Sequence, residues 1–446
     1  MTDTVQQNAD PALEDVIATA LDRARESGAD QAEAGVSLGT GLSVNLRQGE
    51  VETLEHQRDR GFSVTVYIRG RKGSVNSSDL SRDAVRAMVD KACSIASFTA
   101  EDPCAGLADA DRMATVFPDL DLEHPWAISP EEAIEIARAC EAAGLAEDSR
   151  LTNSEGASVN THRSQRLYGN THGFLGGYAS TSHSVSCVLI ASDGKSMQRD
   201  YWYAWGRDAA DLGDPESVGR QAGQRAVSRL GAEKIGTCTA PVLFAAEVAR
   251  GLLGHFVGAV KGGSQYRKAS FLLDAAGERI FPEWLQISER PHISKGPASS
   301  AFDREGVATA DRELVADGVL TGYVLSSYSA RRLGLETTGN AGGIHNLLVS
   351  HGDEDLDALL KRMDRGFLVT ELMGQGVNGV TGDYSRGASG FWVEGGRIAR
   401  PVEEVTIAGN LRDMYRGIEA VGSDVDRRGA IQTGSLLLSP MTIAGA

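Results

Sequence analysis

Two hydrophobic periodicities alternate along the first part of the chain. Apolar residues at helical spacing predict a helix that is capped by Asp10 and Pro11 and ends at Gly28, and a second helix over residues 81–98. Between them, residues 34–77 alternate apolar and polar side chains around glycine-containing turns, which predicts an antiparallel meander. Residues 1–118 are therefore predicted to form a first α+β unit, which ends in a connector without either period.

The same order of elements recurs over residues 119–234. Ser129 and Glu132 form a capping box with Pro130 at the first helical position, which predicts a helix ending near residue 144. A further helix is predicted from Asp214 to near residue 230, and strand-like runs lie between the two helices, at residues 157–161, 166–169, 184–191 and 197–205. Helix, strands, helix thus occurs twice, which predicts a duplicated helix plus antiparallel-sheet unit in the N-terminal half, although the two stretches share little residue identity.

Residues 235–446 are richer in glycine and in strand-like runs. The predicted elements are a strand at 242–245, an amphipathic helix at 246–260, hairpins around Asp317-Gly318 and Gly395-Gly396 (the first with strands at 314–316 and 319–325), a short helix at 355–363, and long loops at 334–343 and 374–390. The fold class is therefore α+β, with a strand-rich, barrel-like C-terminal domain following the duplicated N-terminal half.

Composition narrows the functional classes. With 61 acidic residues against 44 Lys and Arg, the formal net charge is −17, which repels phosphate backbones and anionic lipid, so nucleic-acid and membrane partners are not expected. No run of about 18 apolar residues occurs, and the polar N-terminus lacks a signal-peptide core, so a cytoplasmic protein is expected. The five cysteines are scattered without a CxxC pair, which favours neither a disulfide framework nor a thiolate zinc site.

The predicted helix at 246–260 carries the main candidate chemistry. His255 lies at the edge of its apolar face, beside a stripe formed by Gly251, Gly254 and Gly258. Each glycine costs about 1 kcal/mol relative to alanine inside a helix, so the stripe predicts close backbone packing. His255 is either a metal ligand or acid/base group, or a core-edge histidine bonded to a backbone carbonyl. The second interpretation is favoured because no further ligand follows at i+4.

Two glycine-rich segments offer binding chemistry. The 374–390 stretch has glycines spaced like a phosphate cradle, but no Lys-Ser/Thr pair and no parallel βα unit accompany it. Glycines in a tight, strand-rich crossing, or glycines lining a peptide groove, are therefore favoured over a nucleotide site. A basic, aromatic turn after Gly262-Gly263 could hold a carboxylate, although a solvated loop is favoured. The predicted groove comprises Gly254, Gly258, Tyr266, Arg267, Gly382, Asp383, Arg386 and Gly387.

Three stretches carry a family resemblance. They are VLFAAEVARGLLGHFVGAVKGGSQYRKASFLL, TGDYSRGASGFWVEGGRIARPVEEVTIAGNL and GSLLLSPMTIAG. They resemble the TldD/PmbA family, specifically its PmbA (TldE) branch, and the similarity spans nearly the whole chain. The resemblance implies a cytoplasmic bacterial zinc metallopeptidase assembly, in which the TldD subunit carries His-Glu-x-x-x-His on this helix and a distal cysteine as third ligand.

Carried over by position, the family's zinc site is largely absent from this sequence. The first ligand falls on Arg250, the catalytic glutamate on Gly251 and the second ligand on His255, while no cysteine follows Cys238 near residues 428–435. A single imidazole does not complete a three-ligand zinc site, and without a carboxylate no general base activates a metal-bound water. The resemblance therefore implies that this chain has no catalytic residues and binds no zinc, and that the zinc lies in the partner subunit.

Three functional hypotheses follow from the sequence. The favoured one is a PmbA-type subunit that pairs with a TldD-type subunit, or with a second copy of itself, and acts on peptides or unfolded segments. A non-proteolytic regulatory protein is an alternative, because the family also bears the label of a DNA gyrase modulator. The third is an autonomous metal-dependent hydrolase with an unrecognised site.

Overall fold

The computed structural model describes residues 11–445, so the predicted cap at Asp10 lies outside the described residues. The helices are α1 (Pro11–Glu26), α2 (Arg82–Phe98), α3 (Pro130–Leu145), α4 (Pro215–Ser228), α5 (Ala246–Val260), α6 (Gly262–Tyr266), α7 (Ser327–Leu333), α8 (Leu356–Met363) and α9 (Leu411–Arg416). Over this range, no helix combines the length and the apolar composition needed to cross a bilayer.

The strands of the N-terminal half are β1 (Gln31–Arg47), β2 (Glu50–Ile68), β3 (Arg71–Ser77), β4 (Leu151–Asn170), β5 (Leu175–Ser192) and β6 (Met197–Gly206). Those that follow are β7 (Cys238–Phe244), β8 (Ile287–Glu289), β9 (Arg312–Ala316), β10 (Val319–Leu320), β11 (Leu347–Val349), β12 (Gly366–Met373), β13 (Asp383–Glu394), β14 (Arg397–Asn410), β15 (Ile418–Val421), β16 (Ile431–Gln432) and β17 (Leu436–Ala444).

The two predicted N-terminal units share one sheet. Its six strands run in the order β3-β2-β1-β4-β5-β6, and every neighbouring pair is antiparallel. Each unit supplies three strands between two helices, and the units join where Val36 of β1 lies opposite Leu167 of β4. The duplicated helix-and-sheet plan is therefore present, while the domain limits predicted at residues 118 and 234 stay predictions.

The strands predicted at 157–161 and 166–169 are one strand, β4, and their separation was wrong. The polar residues between them, 162–165, pair with β1 on one side and β5 on the other. Ladder hydrogen bonds on both edges thus continue a strand through residues whose side chains give no apolar alternation.

The N-terminal sheet has one apolar and one polar face. On β1, Ala34 and Val36 are buried against the helices, whereas Gly35 and Ser37 point to the opposite side with the small residues of neighbouring strands.

The predicted capping box of α3 is present, since Ser129 Oγ accepts from the Glu132 N–H at 3.2 Å and Glu132 Oε2 accepts from the Ser129 N–H at 2.8 Å. Ser81 precedes α2 without such a side-chain bond.

The C-terminal half contains a closed barrel. The order β14-β13-β12-β7-β17 closes on itself where β17 pairs with β14, with Ile443 opposite Ile407. A second sheet, β10-β9-β8-β11-β16, lies beside it. Helix α5 leaves the barrel strand β7 after one residue and buries Leu252 and Phe256 in the main core, where the Phe256 ring meets the edge of Phe281 at 5.0 Å. The strand-rich, barrel-like prediction is confirmed.

Two loop predictions need correction. Residues 383–390, predicted as loop, belong to β13 and pair with both β12 and β14. Glycine is required there because a Cβ on Gly390 would lie 1.9 Å from the Leu368 carbonyl oxygen, so close strand approach, and not a loop, explains this glycine. The hairpin strand predicted at 319–325 is limited to Val319–Leu320, after which the chain leaves the sheet.

A close helix contact gives the first test of this fold. A Cβ on Gly219 of α4 would lie 1.8 Å from the Cys140 carbonyl oxygen of α3. We expect Gly219→Ala to lower the free energy of unfolding by about 1–3 kcal/mol, because neither backbone can move without disturbing the core. The matched control is Gly236→Ala, whose Cβ meets nothing within 4 Å. Equal urea midpoints for the two variants would contradict the contact.

Candidate functional site

The polar side chains of helix α5 face two separate groups of neighbouring residues. The helix is fixed from behind, since Tyr415 donates its hydroxyl to the Leu252 carbonyl oxygen at 2.9 Å in the core. Arg250 and His255 are five residues apart, which turns their side chains about 140° from each other on a regular helix. The structure accordingly places these two predicted site residues among different neighbours.

Arg250 is part of an ion pair. Its Nη2 donates to the Tyr203 hydroxyl at 3.0 Å, and its Nη1 lies 3.6 Å from Asp426 Oδ2. The Asp426 side chain is only 4% exposed and accepts a 2.8 Å bond from Arg428 Nε. Burial raises the pKa of Asp426, but hydrogen bonds from Arg428 and the charges of both arginines outweigh it and hold that pKa below the ordinary value. The carboxylate is therefore ionised and shared by two guanidinium groups.

Arg428 connects this pair to the N-terminal sheet. Its guanidinium lies over the rings of Trp202 and Tyr203, at 4.4 and 4.3 Å from their centroids, and Nη1 donates to the Tyr203 carbonyl oxygen at 2.8 Å. The segment to which the resemblance assigns a distal ligand thus does lie beside α5. In this chain it supplies Asp426 and Arg428 to a cation–carboxylate–aromatic contact.

His255 faces a different group. Its ring meets the edge of Tyr384 at a centroid distance of 6.2 Å, and its Nε2 is buried without a hydrogen-bond partner among the described residues. Burial, followed by the charge of Arg386, lowers the pKa of His255, so the ring is neutral at pH 7. Burial likewise raises the pKa of Tyr384 to about 12, and its hydroxyl is also buried without a partner. The prediction that His255 is bonded to a backbone carbonyl therefore does not hold for its Nε2 atom.

His255 and Arg386 border a cavity of about 350 Å³. It is lined by His255, Gly258, Ala259, Ser264, Ala269, Phe271, Gly374, Gln375, Val377, Gly379, Arg386 and Leu411. Of the predicted groove residues, Gly258 and Arg386 are present here. The sequence reasoning missed Phe271 and Tyr384, although Tyr384 stands between Asp383 and Arg386 in the stretch that carries the resemblance.

The other predicted groove residues lie elsewhere. Tyr266 packs edge-on against Tyr328, with Arg267 over its ring, so the basic turn contacts α7. Asp383 accepts a 2.6 Å bond from the Thr381 hydroxyl, on the other side of Gly382. Gly387 lies within β13 opposite Met373. Their role in peptide binding stays a prediction.

The glycine stripe does not pack against backbone, and that prediction was wrong. A Cβ added at Gly251, Gly254 or Gly258 would meet nothing within 4 Å. The stripe instead leaves the polar side of α5 open next to the His255 cavity. The cost of three glycines in one helix therefore has no packing explanation inside this chain.

The residues present do not fit a three-ligand zinc site. Across residues 11–445, no three His, Cys, Asp or Glu side chains are grouped so that they could hold a metal ion. Arg250 adds a positive charge at the first ligand position, and Gly251 supplies no carboxylate. His255 is a single nitrogen donor that faces Tyr384 and Arg386.

Comparison with known proteins identifies the class. Family models for PmbA/TldA metallopeptidases match three consecutive parts of the chain: domain 1 at residues 32–96, the central domain at 123–230 and the C-terminal domain at 237–445. Metalloprotease PmbA of Escherichia coli O157:H7 is 52% identical over 433 residues, which are 97% of this chain and 96% of that protein. A metalloprotease PmbA homolog of Haemophilus influenzae is 46% identical, with the same coverage.

Solved structures share the fold. A protein from Bacteroides thetaiotaomicron, described as a candidate modulator of DNA gyrase, superposes with a TM-score of 0.92 at 27% identity and covers 97% of this chain and 99% of its own. TldE from Thermococcus kodakarensis superposes with a TM-score of 0.83 at 18% identity, over 97% and 100% of the two chains, and shows the fold alone. The chain belongs to the PmbA/TldD metallopeptidase family.

The open stripe predicts a stability gain. Gly251→Ala should raise the free energy of unfolding by up to about 1 kcal/mol, because alanine has the higher helix propensity and its Cβ enters open space. Urea denaturation of the two proteins at pH 7 measures the difference. Gly262→Ala on α6, whose Cβ would lie 2.3 Å from Ser329 Oγ, should have the opposite sign. A loss of stability at Gly251 would restore the close-packing interpretation.

Proposed function

We propose that this chain is the PmbA-type subunit of a TldD/PmbA zinc metallopeptidase complex in the cytoplasm. A TldD-type subunit holds the zinc, and this chain shapes the space in which a peptide or unfolded segment lies. The observation that carries the proposal is the ion pair of Arg250 with Asp426 at the position of the family's first zinc ligand.

The chemistry of this pair opposes an independent catalytic site. Guanidinium groups stay charged at physiological pH, so a dication at this position would be repelled by Arg250 and by Arg428. Asp426 could serve as a metal ligand only by giving up both arginines. That exchange would leave two cations near an aromatic surface without their carboxylate. With Gly251 in place of a general base, this part of α5 offers a binding surface and no group that would activate a water.

The cavity beside His255 supports peptide binding. His255 Nε2 is buried and has no hydrogen-bond partner among the described residues, and such a group costs about 1–3 kcal/mol when left unpaired. A peptide amide or carbonyl entering the cavity would supply the missing hydrogen bond of His255. The open stripe of Gly254 and Gly258 allows an extended backbone to approach α5 without side-chain obstruction.

Reconstitution with the metal-bearing partner tests this function. A TldD-type subunit with this chain should cleave an unfolded fluorogenic peptide, and Gly258→Leu in this chain should lower kcat/KM about tenfold or more, because the new side chain fills the cavity. His255→Ala should have a smaller effect and leave the zinc content of the complex unchanged.

The matched control is Gly322→Leu, a glycine with open space around its Cβ and outside the cavity lining. Its kcat/KM should equal that of the unsubstituted complex. If the partner alone cleaves the peptide as fast as the mixture does, the subunit function is wrong and the regulatory alternative is supported. Cleavage by this chain alone would support the autonomous hydrolase.

A further inference from the structure

A second cavity of the described chain lies away from His255. It measures about 1080 Å³ and is bordered by the polar face of the N-terminal sheet and by two loops, residues 296–304 and 341–345. Small polar residues form much of its lining, among them Ser37, Ser63, Ser164, Ser180, Ser299 and Ser300. This volume exceeds what a single anion fills and is at the upper end of typical ligand pockets.

We propose that this cleft binds an acidic, extended segment of a peptide through the guanidinium groups of Arg166, Arg207 and Arg304. The inference rests on the proposed peptide-handling function and specifies the chemical class of segment that this subunit prefers. The three arginines come from different walls of the cleft: β4, the end of β6 and the loop at 296–304.

The three arginines have no carboxylate partner among the described residues, in a chain that carries a net charge of −17. Arginines elsewhere are commonly paired, as Arg163 is with Glu123 and Arg199 is with Glu155. Asp303 is the one acidic residue in the cleft lining, and it is 4% exposed. Its carboxylate accepts backbone N–H groups of Glu305, Val307 and Ala341, so it is turned into the loop. The positive charge of the cleft is therefore not neutralised internally.

Arg207 shows most clearly the desolvation cost of a buried guanidinium group that has no carboxylate partner. Its guanidinium donates to the carbonyl oxygens of Thr181 at 3.0 Å and Pro297 at 2.8 Å, while its Nε is buried without a partner. Burial lowers the pKa of Arg207, since no carboxylate compensates for the lost hydration. A carboxylate in the cleft would reduce this desolvation cost by pairing with a positioned cation.

The other two arginines are positioned by strand register and by a glycine. Arg166 lies opposite Ser37 on β1 and Tyr178 on β5, so these three residues share the polar face of the sheet. The Arg304 side chain passes over Gly342, and a Cβ on that glycine would lie 2.8 Å from Arg304 Cδ. Any side chain at residue 342 would displace the arginine stem from the cleft.

The arrangement favours carboxylates spaced along an extended chain. Arginine pairs with carboxylates through two parallel hydrogen bonds, and cations on separate walls suit several acidic side chains better than one compact anion. Serines on the sheet floor supply hydrogen-bonding groups beside the arginines; Ser164 and Ser180 already bond to each other at 3.0 Å. A nucleic acid extends beyond the cleft and meets the repulsion of the acidic chain there.

Peptide binding to the purified full-length chain tests the inference. The probes are a fluorescein-labelled unstructured peptide of alternating Glu and Ser, and the same peptide with Gln for Glu. Fluorescence anisotropy should give a Kd about tenfold or more lower for the Glu peptide, with the difference shrinking as salt is added. Arg166→Gln combined with Arg304→Gln should remove most of this preference, and Arg416→Gln, at an exposed arginine outside the cleft, should retain it.

Several results would overturn the assignment. Equal affinity for the Glu and Gln peptides would do so, as would a double variant that keeps the preference while its circular dichroism is unchanged. Competition by inorganic phosphate, or by single-stranded DNA, as strong as by the Glu peptide would assign the cleft to another anion. Because the assay uses neither the partner nor cleavage, its failure leaves the subunit function standing, and failure of reconstituted cleavage leaves this result intact.

Discussion

One buried carboxylate, Asp426, organises the centre of the molecule. It lies between Arg250 of α5 and Arg428, and Arg428 in turn covers Trp202 and Tyr203 of the N-terminal sheet. Charges this far from water are stable only when each has a partner, so the helix, the 426–428 segment and β6 keep their positions together. The ion pair of Arg250, Asp426 and Arg428 occupies the place where the family resemblance puts the first zinc ligand and the segment of the distal ligand. A structural ion pair and a zinc site are mutually exclusive there.

What remains on α5 is suited to binding. The neutral His255 and the charged Arg386 border a cavity that is also lined by Gly258 of the open glycine stripe. The polar face of the N-terminal sheet adds a second and larger cleft with unpaired arginines. The larger cleft follows from the architecture of the duplicated sheet, because the helices cover only one of its faces and the other face stays lined by small polar residues.

Local patterns in the sequence were sufficient for much of the fold. The capping box at Ser129, the hairpin at Gly395-Gly396 and the helix at 246–260 each depend on neighbouring residues, and the structure has all three. Barrel closure by Ile407 and Ile443 joins segments with no local signal of pairing. The glycine stripe was misjudged because sequence cannot distinguish a glycine that permits contact from one that leaves a surface open. Asp426, Trp202 and Arg207 act through partners that are distant in the sequence, so no sequence motif could have identified them.

The central claim is that Arg250 and its carboxylate replace the metal in this subunit. Plasma mass spectrometry of the purified chain, after dialysis against zinc and then against buffer, measures this directly, both alone and in complex with a TldD-type subunit. The account predicts no stoichiometric zinc in the chain alone, and zinc in the complex whose amount is unchanged by His255→Ala. About one zinc per isolated chain, lost on His255→Ala, would contradict this prediction. It would support the hypothesis that this chain is an autonomous metal-dependent hydrolase.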